Sequence, residues 1–333
     1  MSLSKAEKSY IQTGLLSNPP LRGDGRTLDD FRPIALETGV APLANGSAKL
    51  IIGQDPHGGG GGTEVLAATK LEVENVQDEG ADGGRVVCSV TCSPTAYPNL
   101  SPGALDDLQY DMTTILHQTL FHPSLHPPNL GIIPGRKSWL LSLDLVILSD
   151  TGNVYDALFM AARAALWDTK VPRTRSVEYK ARQSGRNAPK DPATMDVDPE
   201  EQSGFATRKL ATATDFELAD YWDEGEDLGG RSGWPVAITL NLVSPTHFLD
   251  ASPPEDSAAP QKVLLAFSFP ESSHTKLQAI RSLGSGELNV PQLKELIATG
   301  EKYAKQLFSA LNSKLKEEDI RRSQKARDRF AKR

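Results

Sequence analysis

Cysteine is nearly missing from this chain: Cys88 and Cys92 are its only two in 333 residues. That excludes a disulfide scaffold and the usual four-ligand zinc patterns. Long hydrophobic runs are missing too. The longest, 139–148, is about ten residues and contains Ser142 and Asp144, well short of the roughly 20 that a membrane-spanning helix needs, so no membrane role is expected. No apolar leader follows the polar opening MSLSKAEKSY, and the expected compartment is the reducing cytosol or nucleus. An excess of positive charge is also lacking. With 36 Lys and Arg against 43 Asp and Glu, the net charge is −7, and the chain as a whole is no general polyanion binder. What is present is an apolar fraction of 38%, enough to build the core of one large domain or two modest ones.

Ser4 and Glu7 have the spacing of a capping box, and residues 4–17 read as a helix with Tyr10, Ile11 and Leu15 near one face. A glycine-punctuated turn (LRGDGR, 21–26) follows and closes an N-terminal segment, 1–30. From 31 to 180 the pattern is first β: short strands at 32–40 and 47–53, then longer alternating ones at 64–76 and 85–93. On the last of these Cys88 and Cys92 share a face with Val90, as small core residues do. Five consecutive glycines (58–62) read as a hairpin tip, because a phosphate loop would need Gly-Lys-Ser/Thr opening a helix. Residues 105–120 carry helical spacing, and a proline-rich loop ends them. His117, His122 and His126 lie close in sequence, but Pro123, Pro127 and Pro128 break any helix that would align them, so no metal site is expected.

Residues 138–149 (SWLLSLDLVILS) fit a buried central strand. A turn, Asp150-Thr151-Gly152-Asn153, and an alanine-rich helix over 154–167 follow. Beyond 180 the composition collapses into a polar, acidic insertion (181–233), expected to be disordered with one marginal helix at most. Order should resume at 234–312, with strands at 235–243, 246–250 and 262–269, a disordered tip at 251–261 and a long helix from Val290. The tail, 313–333, is basic: 314–333 holds nine Lys and Arg against four Asp and Glu. It could touch nucleic acid or be merely solvated. These readings describe an α+β protein of two sheet-and-helix layers, either pseudo-duplicated or closely packed.

Several of these segments together resemble the RNase PH family: SKAEKSYIQTGL, LRGDGRTLDDFRPIALETGV, NGSAKLIIG and, most specifically, LDLVILSDTGNVYDALFMAARAALWDTKVPR. The resemblance spans 4–180 and 234–312, and within the family it is strongest to a non-catalytic ring subunit of the eukaryotic RNA exosome. It implies an RNase PH-like fold and assembly with related subunits into a six-membered ring around an RNA channel. It further implies RNA-binding cap subunits on one face, a docked hydrolytic nuclease, and a place in rRNA maturation and RNA turnover in the nucleus, nucleolus and cytoplasm. No cofactor is implied.

Active members of the family cleave the 3′-terminal nucleotide of RNA with inorganic phosphate. Attacker and target are both anionic, so such a site needs fixed positive charge, N–H donors and an acid for the leaving oxygen. Active relatives carry Asp-Gly-Gly-Thr-Arg or a near variant at the strand-to-helix turn. Here Asp150 and Gly152 remain, Asn153 stands at the hydroxyl position, and Val154 replaces the arginine, leaving phosphate without a bidentate partner. The helix over 105–120 has no Lys or Arg and offers Asp106, Asp107 and Asp111 instead. The expectation is a degenerate site and no enzyme, with Asp150 a turn residue or a cap for the next helix. RNA contact is expected at Arg136 and Lys137, placed near the former site, and at Arg173 and Arg175, unless these pair with a neighbour's acids. Two alternatives stay open: an active phosphorolytic 3′→5′ exoribonuclease, or a subunit that completes a neighbour's site with Arg136 or Lys137.

Overall fold

A computed structural model describes residues 3–53, 61–76, 83–177, 215–219, 225–270 and 274–331. The chain opens with α1 (Lys5–Leu16), started by the Ser4–Glu7 capping box. Strands β1 (Ile34–Thr38), β2 (Gly46–Ile52), β3 (Thr63–Asn75) and β4 (Arg85–Cys92) come next. Helix α2 (Pro102–Leu120), the short β5 (Gly131–Ile133), β6 (Lys137–Ser149) and α3 (Val154–Asp168) follow. Then come four short strands, β7 (Lys170–Val171), β8 (Thr174–Val177), β9 (Asp215–Leu218) and β10 (Glu226–Asp227). The last part holds β11 (Val236–Val243), β12 (Thr246–Phe248), α4 (Pro253–Ala258), β13 (Gln261–Ser268), β14 (Lys276–Gly284) and α5 (Val290–Ala331).

Two unequal sheets share one core. The first runs β1-β2-β3-β6-β4, with β5 on the start of β6. Only β4 runs parallel to β6, and α2 provides the crossover that such a connection requires. The second sheet, β12-β11-β13-β14, is antiparallel throughout. Helix α3 fills the space between the sheets. Of its 15 residues only Tyr155 is not buried, which explains the alanine run: small side chains let a helix approach two sheets at once. Helix α5 lies across β11 and β13, burying Ala304, Leu307, Leu311 and Leu315. A Cβ at its Gly300 would sit 2.5 Å from the Cδ1 of Leu265, so the glycine sets how near this helix comes.

Several expectations change. Tyr10 is 82% exposed, so α1 is anchored by the buried Leu15, with Ile11 partly buried against the same cluster. The stretch at 251–261, expected as a loose tip, contains α4 with its own capping box, Ser252 to Glu255. Strand β14 was not foreseen. The insertion is only partly within the described residues, and its acidic end forms β9 and β10, strands where disorder or a marginal helix is expected. The glycine run lies mostly outside the described residues. The basic tail continues α5, and part of it packs: Glu318 is buried, and Arg322 pairs with the buried Asp168. Cys88 and Cys92 are free and buried. Burial pushes their thiols up to about 12 and about 11, so neither is a ready nucleophile. No described helix is long and apolar enough to cross a membrane.

Candidate functional site

The turn that joins β6 to α3 is fixed from three sides. Asp150 Oδ1 accepts the Gly152 N–H at 2.8 Å, an Asx turn. Asp150 is therefore the turn residue and not the helix cap. The cap position is Asn153, held left-handed at φ 59° with no side-chain capping bond. Thr63 Oγ1 donates to the Gly152 carbonyl at 2.6 Å and accepts the Thr151 N–H at 3.0 Å. Gly152 has φ +96°, and a Cβ there would lie 2.2 Å from the Ala251 carbonyl oxygen. Only glycine fits.

The third support is a set of arginines from the N-terminal segment. Arg32 donates to the Thr151 and Gly152 carbonyls at 2.8 and 3.0 Å and to Asp250 at 2.7 and 2.9 Å. Arg26 reaches the same carboxylate at 2.8 Å. Arg22 forks onto Glu255 at 2.7 and 2.9 Å and also holds the Asp250 carbonyl at 2.8 Å. Burial pushes the Glu255 carboxyl up, but Arg22 and the Ser252 N–H outweigh it, and the net direction is down. The arginines nearest the turn are thus spent on buried carboxylates and carbonyls. Sequence reading took the LRGDGR stretch for a turn alone; nothing in its spacing shows that its arginines meet Asp250 and Glu255 more than 200 positions on.

In front of the turn lies a cavity of about 160 Å³, lined by Tyr97, Asp150, Asn153 and Val154 together with Asp256 and Lys262, among others. Among the described residues Lys262 is the only Lys or Arg lining it, and it is ion-paired with Asp256. Val154 presents hydrocarbon to the cavity. Burial and the charge of Asp150 push the Tyr97 phenol up. Burial and the charge of Asp111 do the same for Tyr155, which donates to Asp111 at 3.2 Å. Asp111 itself is paired with Arg281 of β14, a cation the sequence reading missed, so of the three α2 carboxylates this one is neutralised. The result is a pocket with carboxylates and phenols but no unengaged cation for phosphate among the described residues.

The four expected RNA contacts lie elsewhere. Lys137 begins β6 and Asp150 follows its end, roughly 40 Å apart at about 3.3 Å per residue. Arg136 and Lys137, expected near the Asp150 turn, therefore lie far from it, because the strand between them is 13 residues long. Arg173 and Arg175 join them at this far end, since β8 and β9 pack against β5. Lys137 pairs with Asp215 at 2.9 Å and lies over the Phe216 ring. Arg173 pairs with Glu226 at 3.2 Å, and Arg175 is exposed. The histidines do not converge. His126 bonds the Gly84 carbonyl, His122 bonds Ser124, and His117 packs on Phe121. No cluster of metal-ligating side chains exists among the described residues.

Two sheets thus enclose a buried helix, and the strand-to-helix turn faces a cavity. Residues 30–172 match the 3′ exoribonuclease family, domain 1. Over 295 residues the chain is 26% identical to the exosome complex component Rrp42 of Saccharolobus islandicus, covering 88% of this chain and 90% of that protein. It is 28% identical over 224 residues to the putative exosome complex exonuclease RRP42 of Dictyostelium discoideum, covering 53% of this chain and 66% of the relative. Among solved structures, a chain of the Archaeoglobus fulgidus exosome with RNA bound to the active site superposes with a TM-score of 0.64. Its identity is 21%, over 92% of this chain and 97% of that one. Residues 30–172 are thus RNase PH-like, and the chain is similar to Rrp42 proteins along 88% of its length.

Proposed function

We propose that this chain is a structural subunit of an exosome ring and performs no phosphorolysis itself. In this reading it helps form the RNA channel with other RNase PH-like subunits. Cap subunits and a hydrolytic nuclease join the assembly, which serves 3′→5′ RNA processing in the nucleus, nucleolus and cytoplasm. One observation carries it: among the described residues, the pocket beside the Asp150 turn has no cation available for phosphate. Val154 stands at the arginine position, Lys262 is held by Asp256, and Arg26 and Arg32 are held by Asp250. A transition state with two anionic groups in contact needs such charge fixed in advance.

The test is an assay of the purified chain with RNA and inorganic phosphate. The expected result is no release of nucleoside diphosphates, together with recovery of the tagged chain from its own cells in one large complex of RNase PH-like proteins. Phosphate-dependent turnover that Asp150→Asn abolishes would overturn the reading.

A further inference from the structure

The far end of the molecule, away from the degenerate pocket, carries a basic edge that the chain itself covers with acid. Lys137, Lys170, Arg173 and Arg175 lie along the start of β6 and the segment 170–177, and Arg231 stands beside them. The segment 215–227 holds seven carboxylates in 13 residues and no Lys or Arg. Its described parts are laid against this edge as strands: β9 is antiparallel to β8, Asp215 opposite Val177, and β10 is antiparallel to β7, Asp227 opposite Lys170.

The side chains follow the backbone. Asp215 pairs with Lys137 at 2.9 Å. Glu226 pairs with Arg173 at 3.2 Å. Asp227 pairs with both Lys170 and Arg231. Asn129 bonds the Asp227 carbonyl and the Gly229 N–H and so fixes the end of the segment. The pairing cations keep between 26% and 55% of their side-chain surface exposed, so each pair is weak and exchangeable.

We propose that the basic edge is a binding surface for a single RNA strand and that the acidic strands β9 and β10 are its built-in competitor, their carboxylates lying where RNA phosphates would lie. The surface reads phosphates and not bases, so its affinity is independent of sequence. Binding requires the carboxylates to be displaced, so the segment raises the threshold for RNA that lacks another hold on the assembly. The inference rests on the reading that this chain meets RNA, but not on ring membership, which the recovered complex tests separately.

The experiment measures binding of a fluorescent 20-nucleotide oligouridylate to the full chain across a salt series. The wild type is compared with a triple variant, Asp215→Asn, Glu226→Gln and Asp227→Asn. These changes keep side-chain size and the backbone pairing, and unchanged melting confirms folding. The expected gain is about tenfold at low salt, with a log–log salt slope steeper by about 2, near 0.7 for each of three recovered phosphate contacts. The gain should vanish when Lys137→Ala, Lys170→Ala and Arg173→Ala are added. It should not be matched by Asp106→Asn, Asp107→Asn and Glu295→Gln, which change net charge equally at exposed sites elsewhere. Unchanged affinity, a gain that survives the alanines, or an equal gain in the charge control overturns the proposal. A gain for polyglutamate with none for RNA overturns it too, in favour of an acidic protein partner.

Discussion

Arg32 holds the Asp250 carboxylate through Nε and Nη2, at 2.9 and 2.7 Å, while the same guanidinium binds the carbonyls of Thr151 and Gly152. One side chain thus ties the N-terminal segment, the β6–α3 turn and the β12–α4 link together. Asp250 is fully buried. Removing its principal partner leaves a charge with reduced compensation inside the protein, at a cost of about 3–5 kcal/mol. Arg32→Ala should lower stability by that order in urea unfolding. Arg32→Lys should recover only part of it, because an ammonium cannot span carboxylate and carbonyls as a planar fork does.

The turn also isolates the cost of a steric clash from that of backbone strain. Gly152 and Gly25 both have positive φ, +96° and +75°, but a Cβ at Gly25 would meet nothing within 4 Å. Gly25→Ala should cost about 1 kcal/mol for the left-handed backbone alone. Gly152→Ala adds the 2.2 Å approach to the Ala251 carbonyl and should cost several-fold more, read as the difference between the two urea midpoints at equal m-value.

Asp156 gives the protein a pH dependence of uncommon sign. It is fully buried beneath Thr239, whose hydroxyl donates to it at 2.7 Å, and burial pushes its carboxyl from the ordinary 3.8 up to about 7. A folded value above the unfolded one means that the native state holds the extra proton. This contribution is fully present below about pH 4 and is lost as pH rises through 7. Glu255 acts in the opposite window. Its folded value lies below the ordinary 4.5, so its stabilisation is present above that pH and lost as the solution is acidified through the folded value. Asp156→Asn should flatten the decline in Tm between pH 5 and pH 8 while leaving the acid limb in place. A decline unchanged in Asp156→Asn would assign it to another group.

Much of this architecture is legible from periodicity. The alternation of Val86, Cys88, Val90 and Cys92 matches a strand with those four buried, and the apolar spacing from Leu105 to Leu120 matches the buried face of α2. Local rules failed where long-range pairing decides. Residues 251–261 look like a loop because Pro253, Pro254 and Asp256 are poor helix formers, but Arg22 fixes Glu255 from 233 positions away and holds α4. The acidic β9 and β10 have little strand propensity, and they form against a basic neighbour. At the site, the sequence placed Val154 after the turn, and the structure has it lining the cavity. The capture of Arg26 and Arg32 by Asp250 was not legible, since no motif records which carboxylate an arginine meets. The far placement of Lys137 follows from the length of β6, which the apolar stretch 138–149 already implies.

The C-terminal helix ends its packing on an ion pair between Arg322 and Asp168, whose side chain is 4% exposed. Asp168 sits at the last turn of α3 and also accepts the Ser47 N–H at 3.0 Å. One helical turn earlier in α5, Asp319 accepts the Trp167 indole N–H at 3.0 Å. These bonds join the last part of a 42-residue helix to the start of β2, and beyond them α5 carries the rest of the basic tail. Arg322→Glu would set a carboxylate against the buried Asp168, and like charges at this distance repel where solvent screening is poor. Because Leu307, Leu311 and Leu315 continue to hold the helix, the effect should be local. Amide hydrogen exchange should accelerate at least tenfold from about residue 316 onward and at Ser47, with the amides of β11 and β13 unchanged. The double variant Arg322→Glu with Asp168→Asn should recover most of the protection. If the tail exchanges equally fast in the wild type, the pair does not hold it.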